Sequence, residues 1–289
     1  MKKTKIDWAD STWNPVTGCL HGCEYCYARK IAYRFGGCWR LDLPEDRSWR
    51  NEISKQREET LMGDFARHPN GGLHELNEPE RNCSLMPWTP DLEPGKAAPY
   101  PFGFDPTFHR YRLDDPQRWK KPRTIFVCSM ADLFGAWVPD GWIREVFDAC
   151  GRAPQHRYLF LTKNPIRYVE LAKQGMLPTD KNMWYGSTIT TPDTEFFFHQ
   201  GVNTFVSIEP ILVPFTDLND AGIEPATSCN WIIVGAETGN SKNKVVPEKY
   251  WLNELVNASL RSRTPIFMKE SLRNLMGDDF IQKFPWEND

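Results

Sequence analysis

A chain of 289 residues with 40% hydrophobic and 25% charged side chains has ample material for a core, and an α/β barrel commonly uses this length as one domain. The formal net charge of −3 argues against indiscriminate nucleic-acid binding through a global positive field, though it leaves room for a local basic patch. No apolar run reaches membrane-spanning length, Asp7 and Asp10 break any signal-peptide h-region after the basic start Met1-Lys-Lys-Thr-Lys5, and the eight cysteines therefore point to reduced thiols or metal ligation; the expectation is a cytoplasmic protein.

The first predicted strand, Thr12 to Val16, runs straight into Thr17-Gly-Cys19-Leu-His-Gly-Cys23-Glu-Tyr-Cys26-Tyr-Ala-Arg29, where three cysteines have the spacing C-x3-C-x2-C. Three thiolates on one short loop can hold three irons of a 4Fe-4S cluster, whereas a purely electron-transferring cluster usually has four cysteine ligands, so the fourth iron would be open. His21 leaves a second chemistry available, a tetrahedral Cys3His zinc site. Four ligands so close together would make a tight knuckle, and no second ligand pair follows at finger-like spacing.

Residues of about 36 to 122 break the rhythm with Gly36-Gly37, Asn70-Gly-Gly72, Pro87 to Pro90 and Pro94 to Pro101. So long a connection predicts a functional insertion or lid, with a helix inside it over residues 46 to 67. Cys38 and Cys83 fall in it; an auxiliary cluster is open to them, and free cysteines are the stronger default. Near its end, Phe108-His-Arg110-Tyr-Arg112 and Arg118-Trp-Lys120-Lys-Pro-Arg123 interleave cations with aromatics, a pattern that suits a nucleic-acid single strand or extruded base but is more often a solvated surface turn. Arg110, Arg112, Lys120 and Lys121 are the nucleic-acid candidates.

Six further strands are predicted: Thr124 to Cys128, Tyr158 to Leu161, Met183 to Gly186, Thr204 to Ile208, Trp231 to Val234 and Ile266 to Met268. Several are nearly continuous in hydrophobicity, as strands of a parallel sheet buried on both faces should be. Between them, Asp140 caps a helix whose Trp142, Ile143, Val146 and Phe147 form an amphipathic stripe; Asn164-Pro165 and Thr191-Pro192 signal two more helix starts, with Gly175 and Gly201 as stops. These are βα units. The expected fold is α/β, a partial (β/α) TIM-like barrel of about six or seven parallel strands with an insertion after strand 1, residues 1 to 289 forming one domain.

In such a barrel the reactive face is built just past the C-terminal ends of the strands. Those positions are unusually polar here: Asn14, Thr17 and the cysteine loop, then Ser129 and Asp132, Thr162 to Asn164, Ser187, Thr188 and Thr190, Ser207 and Glu209, Glu237 and Thr238, and Lys269 with Glu270. One such residue is more often a cap or a surface charge, but seven strand ends share the bias. Glu209 and Glu237 rank first among the carboxylates.

The cysteine spacing, with an aromatic residue just before the last cysteine, resembles the signature of the radical S-adenosylmethionine (SAM) superfamily. The resemblance implies a 4Fe-4S cluster on Cys19, Cys23 and Cys26 whose open iron chelates SAM, cleaved to a 5'-deoxyadenosyl radical with an electron from a flavodoxin- or ferredoxin-type donor. It further implies that the backbone at Tyr25 meets the adenine, that Ser129 and Asp132 hold the methionine amino group, that Ser187 and Thr188 reach the ribose or methionine carboxylate, and that Glu209, Glu237 and Lys269 face SAM or substrate. Asp7-Trp8, Thr12 to Cys19, Cys26-Tyr-Ala28, Lys121 to Val127, Ser129 to Phe134, Val138-Pro-Asp140, Leu161-Thr-Lys163, Ser207 to Pro210 and Trp231 to Glu237 are together similar to the phage Gp37/Gp68 family of three-cysteine proteins. Cys128 stands where those relatives commonly have Asn, and it reads as a small buried hydrophobe. The expected function is a radical SAM enzyme acting on an unassigned substrate, a nucleic-acid base or nucleotide among the options. A zinc-stabilised nucleic-acid-binding protein and an iron-sulfur redox sensor are the alternatives.

Overall fold

The computed structural model describes residues 4–23, 26–35, 72–79, 98–215, 224–238 and 244–287. Seven runs dominated by Val, Ile, Phe, Trp and Tyr pair side by side in one parallel sheet, because such side chains fit a pleated surface covered on both faces. The strands are β1 (Ser11–Trp13), β5 (Thr124–Val127), β6 (Arg157–Thr162), β7 (Met183–Ile189), β8 (Asn203–Ile208), β9 (Trp231–Val234) and β10 (Ile266–Met268), in that spatial order. The sheet curls into a half-barrel, the expected partial β/α barrel.

Two expectations need correction, at the first strand and at the crossover from β7 to β8. The strand predicted over Thr12 to Val16 stops at Trp13, because Pro15 offers no N–H to continue the ladder and biases Asn14 before it. Val16–Thr17 (β2) instead joins a second small sheet with β4 (Thr107–His109) and β3 (His74–Leu76), antiparallel to β4. Part of the insertion is therefore built onto the base of the cysteine loop. The helix expected from Thr191-Pro192 is absent: the hydroxyls of Thr191 and Thr194 bond each other at 2.9 Å in a turn, and the chain then runs without helix to β8 while Phe197 sinks into the core. The helix predicted at 46 to 67, with Cys38 and Cys83, lies outside the described residues.

Helices α1 (Tyr27–Phe35), α2 (Asp140–Gly151), α3 (Ile166–Lys173), α4 (Glu224–Ser228) and α5 (Lys249–Ser262) fill crossovers. Asp140 is the first helical residue of α2 and Pro139 its cap, one position earlier than expected; Trp142, Ile143, Val146 and Phe147 are buried as the stripe requires. On the convex face, α2 and α3 pack over Ile125, Val127, Tyr158, Phe160 and Tyr185, and α5 over Val206, Ile208, Ile232 and Val234. The concave face carries the alternate residues of each strand. Phe126, Leu159, Trp184, Phe205, Trp231 and Phe267 meet there with Trp8 and form an aromatic floor. The seam between β1 and β10 is bridged by Asp7, whose Oδ2 accepts the Glu270 N–H at 2.8 Å, and by residues 281–283 alongside β10. Among the described residues no helix is long and apolar enough to cross a membrane.

Candidate functional site

Because the seven strands are parallel, their C-terminal ends open on one mouth, and the cysteine loop stands at its edge. The loop begins at Gly18, whose φ of +86° and contact with the backbone of Phe104 and Asp105 leave no room for a Cβ. Gly18 N–H donates to Met130 O at 2.9 Å and Cys19 N–H to Phe104 O at 3.1 Å, so the first cysteine is hung between the post-β5 turn and the insertion. Cys19 and Cys26 both pack against Ala28, Ala32, Phe104 and Met130. Cys26 directly precedes α1, and its Sγ accepts the Arg29 N–H at 3.4 Å, which places it where a helix start favours negative charge.

All three thiols are half-buried. Burial pushes the Cys19 thiol up to about 12; a hydrogen bond from the His21 backbone opposes this, while Asp132, Cys23 and Cys26 add to the rise. Three thiolates gathered in so dry a place repel one another and need cationic iron or zinc to coexist. Among the described residues no three His, Cys, Asp or Glu side chains are grouped around a point fit for one metal ion. The donor chemistry, three thiols on a loop at a helix start, is of the kind an iron-sulfur cluster takes.

The other predicted residues divide into those at the mouth and those committed elsewhere. Lys269, after β10, reaches across β9 and pairs with Glu209, after β8. Gly235 makes the crossing possible: a Cβ there would lie 2.9 Å from Lys269 Cδ. Tyr27, at the start of α1, donates its hydroxyl to Ser129 O at 2.8 Å while half its surface stays open at 53%. Its phenol pKa is raised by burial and then by Glu209, Cys26 and Tyr100. Ser129 Oγ donates to Asn14 Oδ1 at 3.2 Å. Thr188 is half-buried on the concave side of β7, in register with Ser207, a buried hydroxyl with no hydrogen-bond partner among the described residues. Glu237 follows β9 and accepts the Val245 N–H at 3.2 Å.

Asp132 and Ser187 are spent on the protein itself. Asp132 is buried and accepts four hydrogen bonds, from His21, Thr162, Lys163 and Phe134. Ser187 is fully buried, and its Oγ accepts the Phe197 N–H at 2.9 Å, on the convex side away from the mouth. Tyr25 lies outside the described residues. The basic run does not line the mouth as a patch: Arg110 is clamped by Glu75 and Glu145, Arg112 donates to Asn14 O and Pro99 O, and the exposed Lys120 and Lys121 precede β5, at the opposite end of the sheet. Cys128 is buried, with its thiol pushed up to about 12 by burial.

Three contributors escaped the sequence reading. Tyr27 stood inside a motif without a role, Gly235 was legible only from its inward alternation with Trp231 and Ile233, and the His21 bond to Asp132 has no local signal. The model of a family described as a protein of unknown function (DUF5131) matches residues 3–67 and 66–273. No curated protein and no solved structure matches the chain.

Proposed function

We propose that this chain, which belongs to the DUF5131 family, is a radical SAM enzyme that carries a 4Fe-4S cluster on Cys19, Cys23 and Cys26. What supports it is the place of the three thiols, on one loop after the first strand and at the mouth of a parallel half-barrel toward which polar strand ends converge. When bound, the cluster with SAM on its open iron supplies a 5'-deoxyadenosyl radical that takes hydrogen from the substrate. The chain's own residues do the rest. The aromatic floor keeps water from the closed end, Tyr27 and Ser129 shape the side next to the loop, and Glu209 with Lys269 presents opposite charges to SAM or substrate. Glu237 stands past the neighbouring strand. The electron comes from a flavodoxin- or ferredoxin-type donor, and the setting is the reducing cytoplasm, where thiols persist.

Anaerobic reconstitution with ferrous iron and sulfide tests this. About four iron and four sulfide per chain are expected, lost on Cys→Ala change at Cys19, Cys23 or Cys26. SAM should alter the reduced cluster's electron paramagnetic resonance (EPR) spectrum and be cleaved to 5'-deoxyadenosine and methionine.

One observation favours a second reading. His21 gives its Nε2 proton to Asp132, as metal-binding histidines commonly give their second nitrogen to a carboxylate, so Nδ1 would be the donor to a zinc ion, which would have to draw His21 and the three cysteines together because they are not grouped around a single-ion point. Stoichiometric zinc with no sulfide would decide for it.

A further inference from the structure

We infer that Asp132 and His21 form a clamp that holds the cysteine loop in its metal-binding shape, with Asp132 acting as a positioning residue. The inference rests on the metal-bearing loop proposed above. Oδ2 of Asp132 accepts from His21 Nε2 at 2.7 Å, Thr162 Oγ1 at 3.0 Å and the Lys163 N–H at 2.9 Å, while Oδ1 accepts the Phe134 N–H at 3.0 Å. Three donors crowd Oδ2 and one reaches Oδ1, so most of the carboxylate's acceptor capacity is spent on the protein, with one position left on Oδ1. Two of the donors end β6 and one belongs to the turn after β5, so the anchor is the rigid sheet itself.

His21 carries that anchor to the loop. It sits midway between Cys19 and Cys23, and a carboxylate that only accepts fixes its proton on Nε2. The ring is wedged edge-on against Trp137, centroids 4.9 Å apart. Among the described residues of the loop, Cys19 N–H bonds Phe104 O, Cys26 N–H bonds Cys23 O at 3.3 Å and the His21 backbone bonds the Cys19 thiol, so the tie from His21 to the sheet is the one side-chain anchor these bonds add to. Without the clamp the loop would sample more conformations, and ordering it again would count against metal binding. Partners one step behind the ligands typically matter by 10- to 100-fold in metal affinity.

The test uses full-length protein reconstituted anaerobically with ferrous iron and sulfide, then challenged with a chelator. His21→Ala should release its iron about tenfold faster than the parent or more, with an unchanged unfolding midpoint of the metal-free protein. His21→Gln, whose amide can still donate to Asp132 but lacks an imidazole ligand, should restore most of the retention and the parent EPR spectrum. Asp132→Asn should resemble His21→Ala if it folds; the His21 pair decides if it does not. Equal iron release by His21→Ala and the parent would overturn the clamp. So would His21→Gln failing as fully as Ala, because His21 would then be a ligand. Parent protein that takes up zinc and no sulfide refutes the cluster alone, and the same three variants then judge the clamp by zinc release; parent protein that takes up neither overturns both.

Discussion

The two ends of the half-barrel's concave surface are made by the same strands and differ in almost every chemical respect. At the N-terminal end Trp8, Phe126, Trp184, Phe205, Trp231 and Phe267 interlock; Trp231 alone lies within 6.5 Å, centroid to centroid, of Trp8, Phe205 and Phe267. Two or four residues further along, the inward positions become Gly186 and Thr188 on β7, Ser207 and Glu209 after Phe205, Gly235 after Ile233, and Lys269 after Phe267. Bulk gives way to small side chains and then to charge. One end is closed by dispersion and apolar burial, and the other carries small and polar side chains where the cysteine loop arrives. Stability and chemistry are thereby separated along single strands.

The comparison breaks most visibly at the floor. Trp231→Ala should lower stability to urea by about 3–5 kcal/mol, the usual cost of removing a buried large aromatic side chain, while the folded fraction still takes up its full iron. A loss under about 1 kcal/mol would show that the floor does not carry the fold. Gly235→Ala sharpens the contrast from the other end. Its new Cβ would press on Lys269 Cδ at 2.9 Å, costing about 1–3 kcal/mol as overpacking does, and would push Lys269 off Glu209. Iron content should be normal while SAM binding or turnover fails; normal binding and turnover would remove the pair from the site.

Glu209→Gln should cost no more than about 1 kcal/mol, because the partners' side chains are 28% and 20% exposed and water screens them. Folding and iron should persist. If the residue contacts only substrate, uncoupled SAM cleavage survives and turnover is lost; if it holds SAM, SAM affinity falls. A variant indistinguishable from the parent in both assays would exclude Glu209.

The gentlest probe is pH, which acts on groups outside both ends. His109, bonded to Thr17 Oγ1 at 2.9 Å beneath the cysteine loop, has its pKa held down to about 3, first by burial and then by Arg112, against 6.5 when exposed. The stability it lends is complete above pH 6.5 and is lost as pH falls towards 3. Cys128, pushed up from 9.0 to about 12 by burial, works in the opposite direction: its contribution is complete below pH 9 and is lost as pH rises towards 12. Metal-free protein should therefore be most stable between these limits. If His109→Gln and the parent lose stability with the same slope from pH 6.5 to 4, His109 is not part of the acid limb.

The sequence by itself determined the seven strands, their parallel arrangement and the loop that carries the cysteines, because each depends on local properties: β-rich apolar runs, proline and glycine punctuation, and the spacing of three thiols over eight residues. It also placed Glu209, Glu237 and Lys269 past strand ends, which needs only strand boundaries. Local pattern misjudged Pro15 as strand interior and Thr191-Pro192 as a helix start, where backbone donors and the burial of Phe197 prevailed. Only the tertiary structure decided which side chains meet. Lys269 finds Glu209 from 60 residues away because β10 and β8 flank a strand that has glycine at the crossing, and His21 finds Asp132 across 111 residues because the loop folds back over the end of β5. It equally sent the basic run's Lys120 and Lys121 to the far end of β5, away from the mouth. Such meetings are set by strand order, register and the direction in which each side chain leaves the pleat, and no periodicity within a single segment encodes them.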